Sequence, residues 1–222
     1  MTHAWSHIVS WNEDRVEKIA DAVVHVIGLA LALAGTGALL VYAFGVADAA
    51  LYAAVVIYLA GLIASLAASS LYNIWPNSQV KWLLRRLDHS AIFLLIAGTY
   101  TPFIAQMPAN ATSTALFIGV WAVAAIGIVL KLAFPGRFDR LAVGAYLALG
   151  WCGVLVFPAI QDAIPSTTLW LIAAGGITYS AGVVFYAWEG LRFNKAIWHG
   201  FVLAGTALHY GAVIDSLSVL TV

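Results

Sequence analysis

Leu84-Arg85-Arg86-Leu87-Asp88-His89-Ser90-Ala91-Ile92-Phe93 passes within ten residues from paired guanidiniums into a run dominated by apolar side chains as far as Met107. About 20 such residues are enough for a helix to cross the hydrocarbon core of a bilayer. Asp88 stands at the mouth of this run. An ionised carboxylate there loses hydration and needs a cation, a metal or hydrogen-bond donors, so its neighbours in space are expected to be polar.

The rest of the chain repeats the pattern. Of 222 residues 63% are hydrophobic and only 9% charged, with a mean hydropathy of +0.95, which is too little polar surface to coat a water-soluble globule. Seven apolar runs are long enough to span: Ala20 to Phe44, Ala50 to Trp75, Leu87 to Met107, Thr114 to Phe134, Leu141 to Ile160, Thr167 to Trp188 and Ala196 to Leu217. Turn-forming residues separate them, including Gly45 and Asp48, Pro76-Asn77-Ser78, Pro108-Ala109-Asn110, Pro135-Gly136, Asp162 to Pro165 and Glu189-Gly190. The expected fold is an all-α integral membrane protein with seven transmembrane helices, one domain over residues 1–222. Residues 1–19, polar around Trp5, Ile8, Val9 and Trp11, read as an interfacial lead-in with a capping box from Ser10 to Glu13, and lack the pattern of a signal peptide. A net charge of zero gives no basic balance for nucleic acid, and membrane lipid is the expected partner. The single Cys152 lies in an apolar run, which excludes an internal disulfide and a thiolate cluster.

Lys and Arg set the topology. They fall at Arg15 and Lys18 before the first run, at Lys81, Arg85 and Arg86 between the second and third, at Lys131, Arg137 and Arg140 flanking the turn between the fourth and fifth, and at Arg192 and Lys195 between the sixth and seventh. The positive-inside rule then places the N-terminus in the cytoplasm and the C-terminus outside. The end of the second run and the starts of the third and seventh share the cytoplasmic side. Ser69 and Asn73 are four residues apart and share a helix face, as do Lys195 and His199. With Asp88 at the same depth, these five residues are expected to converge on one inner-leaflet site.

Other polar residues carry plainer expectations. His89 is rotated about 100° from Asp88 on a helix and reads as packing. His25 and His209 read as bonded to a backbone carbonyl or a neighbouring helix. His209 is also roughly 15 Å along the helix from His199, too far for one metal. Trp75, Trp82 and Trp198 read as interfacial anchors, and Gly175, Gly176 and Gly182 as sites of close helix approach. Asp88 could instead meet Arg85 or Arg86 at the interface.

Several blocks together resemble the hemolysin III family, within the progestin and adipoQ receptor superfamily. They are Glu17 through Asp21 and His25 to Gly28, Ser69-Ser70-Leu71-Tyr72-Asn73, Arg85 to Phe93 with Ala97 to Phe103, Gly175 to Tyr179, and Ala196-Ile197-Trp198-His199 with Phe201 to Gly205. The resemblance implies seven helices in the same orientation and a bacterial plasma membrane setting. It also implies an inner-leaflet zinc ion held by one His of S-x-x-x-H on the second span and two of H-x-x-x-H on the seventh, with an Asp of the third span reaching it through water. Family roles include amide hydrolysis of ceramide-like lipids and receptor or haemolytic functions. Carried over by position, Ser69, Asp88 and His199 match, whereas Asn73 and Lys195 occupy the other two ligand positions. Asn offers a weak neutral oxygen, and a protonated Lys offers no lone pair.

Three functions stay open at this stage. One is a non-catalytic or weakly metal-binding membrane protein whose site is closed by an Asp88–Lys195 pair with Asn73, Ser69 and His199 around it. The second is a metal-dependent hydrolase of amide or ester lipids, with Asp88 and Ser69 catalytic and zinc on His199 and Asp88. The third is a transporter or proton pathway, since such devices also use intramembrane Asp, Lys and His.

Overall fold

The computed structural model describes residues 14–134 and 136–221, so the lead-in and its Ser10–Glu13 capping box fall mostly or wholly outside the described residues. Seven stretches are long and apolar enough to cross a membrane. Six are single helices: α1 (Arg15–Val46), α2 (Ala49–Ile74), α3 (Gln79–Ala105), α4 (Ala111–Ala133), α7 (Ser166–Ala187) and α8 (Asn194–Ser218). The fifth is composite, α5 (Asp139–Trp151) joined by a 3₁₀ stretch at Cys152–Val156 to α6 (Phe157–Gln161).

Polar caps decide where the helices start. Asp48 accepts from the Leu51 N–H at 2.8 Å and Asn110 from the Thr112 N–H at 2.9 Å, each satisfying a donor that the first helical turn leaves open. Hydropathy places the third run at Leu87, whereas the helix begins two turns earlier at Gln79, after Ser78. Those turns hold Lys81, Arg85 and Arg86, which apolar counting excludes but helix propensity favours.

The fifth run departs from a single continuous helix. Pro158 has no N–H to donate into the preceding turn, and the backbone tightens to 3₁₀ just before it. Tyr100 of α3 takes up the loosened groups: its hydroxyl donates to Gly150 O at 2.7 Å and accepts from the Gly153 N–H at 3.0 Å. In a bilayer such groups must be satisfied inside the protein.

The helices form a closed circuit. α1 packs on α2, α2 on α3 and α3 on α4, α8 packs on both α7 and α1, and α5 touches α3, α4 and α7. Leu39, Val55, Tyr58, Leu62, Val213 and Leu217 make one core where α1, α2 and α8 meet; Phe93, Ala97, Val120, Ala124 and Leu149 make another among α3, α4 and α5. Large apolar side chains such as Phe44, Leu155 and Trp170 point outward, as expected where the solvent is lipid. Glycines set the closest approaches: a Cβ on Gly61 would lie 3.1 Å from Leu94 O of α3, and one on Gly182 would lie 2.8 Å from Phe201 Cβ of α8. The reading of Gly182 as a helix-contact residue agrees with this geometry.

All the Lys and Arg residues of the chain sit at or near one end of this circuit, here called the basic end. There Asp139 at the start of α5 receives Arg85 Nη2 at 2.7 Å and Lys131 Nζ at 2.6 Å, tying α3 and α4 to α5.

Candidate metal centre

The polar site of the basic end is built on α1. Its buried residues include Asp21, His25, Gly28 and Ala32, a stripe at spacings of three and four that puts one helix face inward. Glu17 extends the stripe by a turn. Its carboxylate accepts from the Asp14 N–H at 3.2 Å and, through Oε1, from the Phe193 N–H at 2.8 Å. Phe193 has φ 61° and immediately precedes α8. Glu17 thus caps α1 and fixes the start of α8 against it.

That alignment brings His199 onto the α1 stripe. His199 Nδ1–H donates to Asp21 Oδ1 at 2.6 Å, since a carboxylate can only accept. His25 Nε2 lies 3.5 Å from Asp21 Oδ2, and the two imidazole rings stand 4.3 Å apart at 55°. Asp21 is 7% exposed and His25 5%. His25 Nε2 is buried without a hydrogen-bond partner among the described residues. A buried polar atom without a partner costs free energy, so its survival here points to a role.

Among the described residues, Asp21, His25 and His199 form the one group of three His, Cys, Asp or Glu whose ligand atoms lie close enough to hold a metal, all within 4.8 Å of one another. Of the five residues expected to converge, Ser69, Asn73, Asp88, Lys195 and His199, only His199 belongs to it. Asp88 lies outside it, on α3, with its Oδ2 3.6 Å from His89 Nδ1. Asn73 and Ser69 do share a face of α2, but Asn73 Nδ2 donates to Ser69 O at 3.0 Å and contacts Ser69 Oγ at 3.4 Å. Lys195 lines a cavity of about 20 Å³ together with Glu17, Asp21, Phe193, Asn194 and Ala196. The zinc-ligand positions of the resemblance therefore supply one imidazole, one amide committed to its own helix and one ammonium. They do not fit a zinc ion.

His25 is the residue that the sequence reading undervalues. It faces the carboxylate of its own helix and the ring of His199 rather than a carbonyl. The available signal was Glu17, Asp21 and His25 at four-residue spacing on a helix otherwise apolar inside its first turns. Among the other described histidines, His209 Nε2 contacts Ile172 O at 3.2 Å, and His89 Nδ1 contacts Arg85 O at 2.9 Å and stands 3.6 Å from Asp88.

A closed circuit of seven membrane-spanning helices with a polar site between the first and last defines an integral membrane protein of the heptahelical kind. Residues 14–210 match the model of the family described as haemolysin-III related, and the chain belongs to that family. It is 34% identical over 198 residues to the Hemolysin-3 homolog of Bacillus subtilis, covering 89% of this chain and 93% of that protein. Identity to Hemolysin-3 of Bacillus cereus is 35% over 198 residues, covering 89% and 90%. The human Monocyte to macrophage differentiation factor is 28% identical over 163 residues, covering 71% of this chain and 67% of that protein.

Proposed function

We propose that this chain is a metal-binding, non-hydrolytic member of its family, in which Asp21, His25 and His199 hold a divalent transition-metal ion, with zinc the best match. The observation that carries the reading is the buried Nε2 of His25, which makes no hydrogen bond among the described residues and stands 3.5 Å from a carboxylate that already holds a second imidazole. Zinc takes His nitrogens and carboxylate oxygens at about 2.0–2.2 Å in tetrahedral geometry, which sets neighbouring ligand atoms about 3.4 Å apart. The 3.5 Å between His25 Nε2 and Asp21 Oδ2 is close to that spacing. The 2.6 Å contact between His199 and Asp21 is shorter, because a proton now joins them; a metal takes the place of that proton, so binding weakens as pH falls.

The non-hydrolytic part of the reading rests on the family's zinc-ligand positions, two of which are Asn73 and Lys195 here, a weak neutral oxygen and a group without a lone pair. The positive-inside distribution of Lys and Arg supports a cytoplasmic N-terminus and an inner-leaflet site, and the Bacillus relatives support a bacterial plasma membrane location. The hydrolytic alternative draws on the fourth coordination position that three protein ligands leave free, the arrangement of catalytic zinc, with Ser69 and Asp88 as its further groups.

Both readings meet in one experiment. The full-length protein in detergent is stripped with a chelator, dialysed against zinc and assayed for bound metal and for hydrolysis of ceramide and ester-lipid substrates. One zinc is expected in the wild type and in D88N, with none in H25A or H199A and no hydrolysis in any. A wild type without zinc, or zinc lost equally in D88N, overturns the proposed ligand set. Hydrolysis abolished by D88N overturns the non-hydrolytic reading.

A further inference from the structure

A second polar cluster lies at the basic end, among α3, α4 and α5, and the metal reading does not use it. Arg85, Arg86, His89, Lys131, Gly136 and Asp139 line a half-open pocket there. Its charge does not balance. Asp139 is shared by Arg85 and Lys131, while Arg86 donates to the Leu132 carbonyl at 3.4 Å. Counting Asp88, which lies 3.6 Å from His89, cations still exceed carboxylates. Arg137 on the adjoining loop and Arg140 in the first turn of α5, both exposed, add to the excess.

The decisive atoms are two guanidinium nitrogens. Arg85 Nη1 and Arg86 Nε are buried and lack hydrogen-bond partners among the described residues. A guanidinium keeps its charge and carries its donors in a rigid fork. Both arginines line the pocket with a third cation, Lys131, in its wall, and their open N–H donors match the oxygens of a phosphate group. Trp82 holds the guanidiniums in place, its ring 5.8 Å from Arg85 Cζ and 5.6 Å from Arg86 Cζ.

We propose that this pocket binds the phosphate of an anionic phospholipid headgroup. A phosphate could also arrive free in solution, but the pocket is shallow and half-open, and large apolar side chains stand exposed beside it. Leu132 at the end of α4, Phe134 and Phe138 in the α4–α5 turn and Leu141 at the start of α5 are all exposed there. A headgroup seated on the arginines would lay its acyl chains along that apolar rim, whereas a soluble anion would gain nothing from it. Anionic lipid also adds the attraction of its surface for clustered cations.

The test uses full-length protein in detergent, with phosphatidylglycerol, phosphatidylcholine and inorganic phosphate as probes and native mass spectrometry counting retained lipid. Arg86 is the residue to change, because both ion pairs of Asp139 survive its loss. The expected result is retention of phosphatidylglycerol over phosphatidylcholine, with affinity falling about tenfold in R86Q, equivalent to one charge-assisted contact. R192Q removes another arginine of the same end, 68% exposed in its side chain and paired with Asp14 at 3.7 Å, and is expected to leave retention unchanged. R86K, which keeps the charge without the fork, is expected to lose several-fold and serves if R86Q is not recovered folded. Equal retention of the two lipids, or equal losses in R86Q and R192Q, overturns the site. Displacement of phosphatidylglycerol by millimolar inorganic phosphate overturns the lipid as its source.

Discussion

The two polar clusters of the basic end are built from similar parts and balance differently. In the α1–α8 cluster one carboxylate, Asp21, faces two imidazoles; in the α3–α4–α5 cluster one carboxylate, Asp139, faces two permanent cations with a third alongside. Imidazoles can give up their protons and then offer lone pairs, so the first cluster can exchange protons for a metal. Guanidinium and ammonium groups cannot become ligands in that way, so the second can only accept more negative charge. The sign and the chemistry of what is left over, rather than the number of polar groups, separate a cation site from an anion site.

Matching substitutions break the comparison most directly. Replacing Asp21 with Asn is expected to lower zinc affinity more than about a hundredfold, since even outer partners of metal ligands are worth about 10–100-fold, while the fold persists. Metal titration by calorimetry, paired with a thermal melt, checks both halves. The counterpart D139N has the opposite profile. It strands Lys131, whose side chain is 6% exposed, and Arg85, and is expected to cost about 2–4 kcal/mol, below the upper range for broken buried pairs because Asp139 is partly solvated. Its melt shifts, and its zinc affinity does not.

Two further changes leave both clusters alone and set the background against which they are read. G182A drives a Cβ against Phe201 and the Trp198 ring, and the expected loss is about 1–3 kcal/mol from overpacking at the α7–α8 contact. Y100F removes the hydroxyl that satisfies Gly150 O and the Gly153 N–H, with a smaller expected loss of about 1–2 kcal/mol. Chemical or thermal unfolding in one detergent ranks them. A change in zinc affinity in either variant would show that the α1–α8 site depends on packing well beyond its own contacts.

Much of the fold was legible because lipid leaves few choices: a run of about 20 apolar residues becomes a helix, and caps and turns mark its ends. The break in the fifth run was harder to read. Pro158 was visible, but the partner that makes the break tolerable is Tyr100, some fifty residues away on another helix. The site divides along the same line. Four-residue spacing correctly paired Ser69 with Asn73 and Lys195 with His199 on their own helices. What it could not supply was which helix stands across from His199. Family positions directed attention to α2 and α3, whereas the Glu17 bridge to Phe193 brings α1 opposite, and with it Asp21 and His25.

That bridge also orders events in time. Glu17 waits for the Phe193 amide and Asp21 for His199, contacts separated by 176 and 178 residues. Chains emerge N-terminus first, so α1 is made with a carboxylate and a histidine turned toward a neighbour that is synthesised last. Until α8 is in place, this face has neither its capping partner nor its second imidazole. The centre is therefore a mark of completed synthesis, and a chain cut short before residue 199 lacks it whatever its other helices have done.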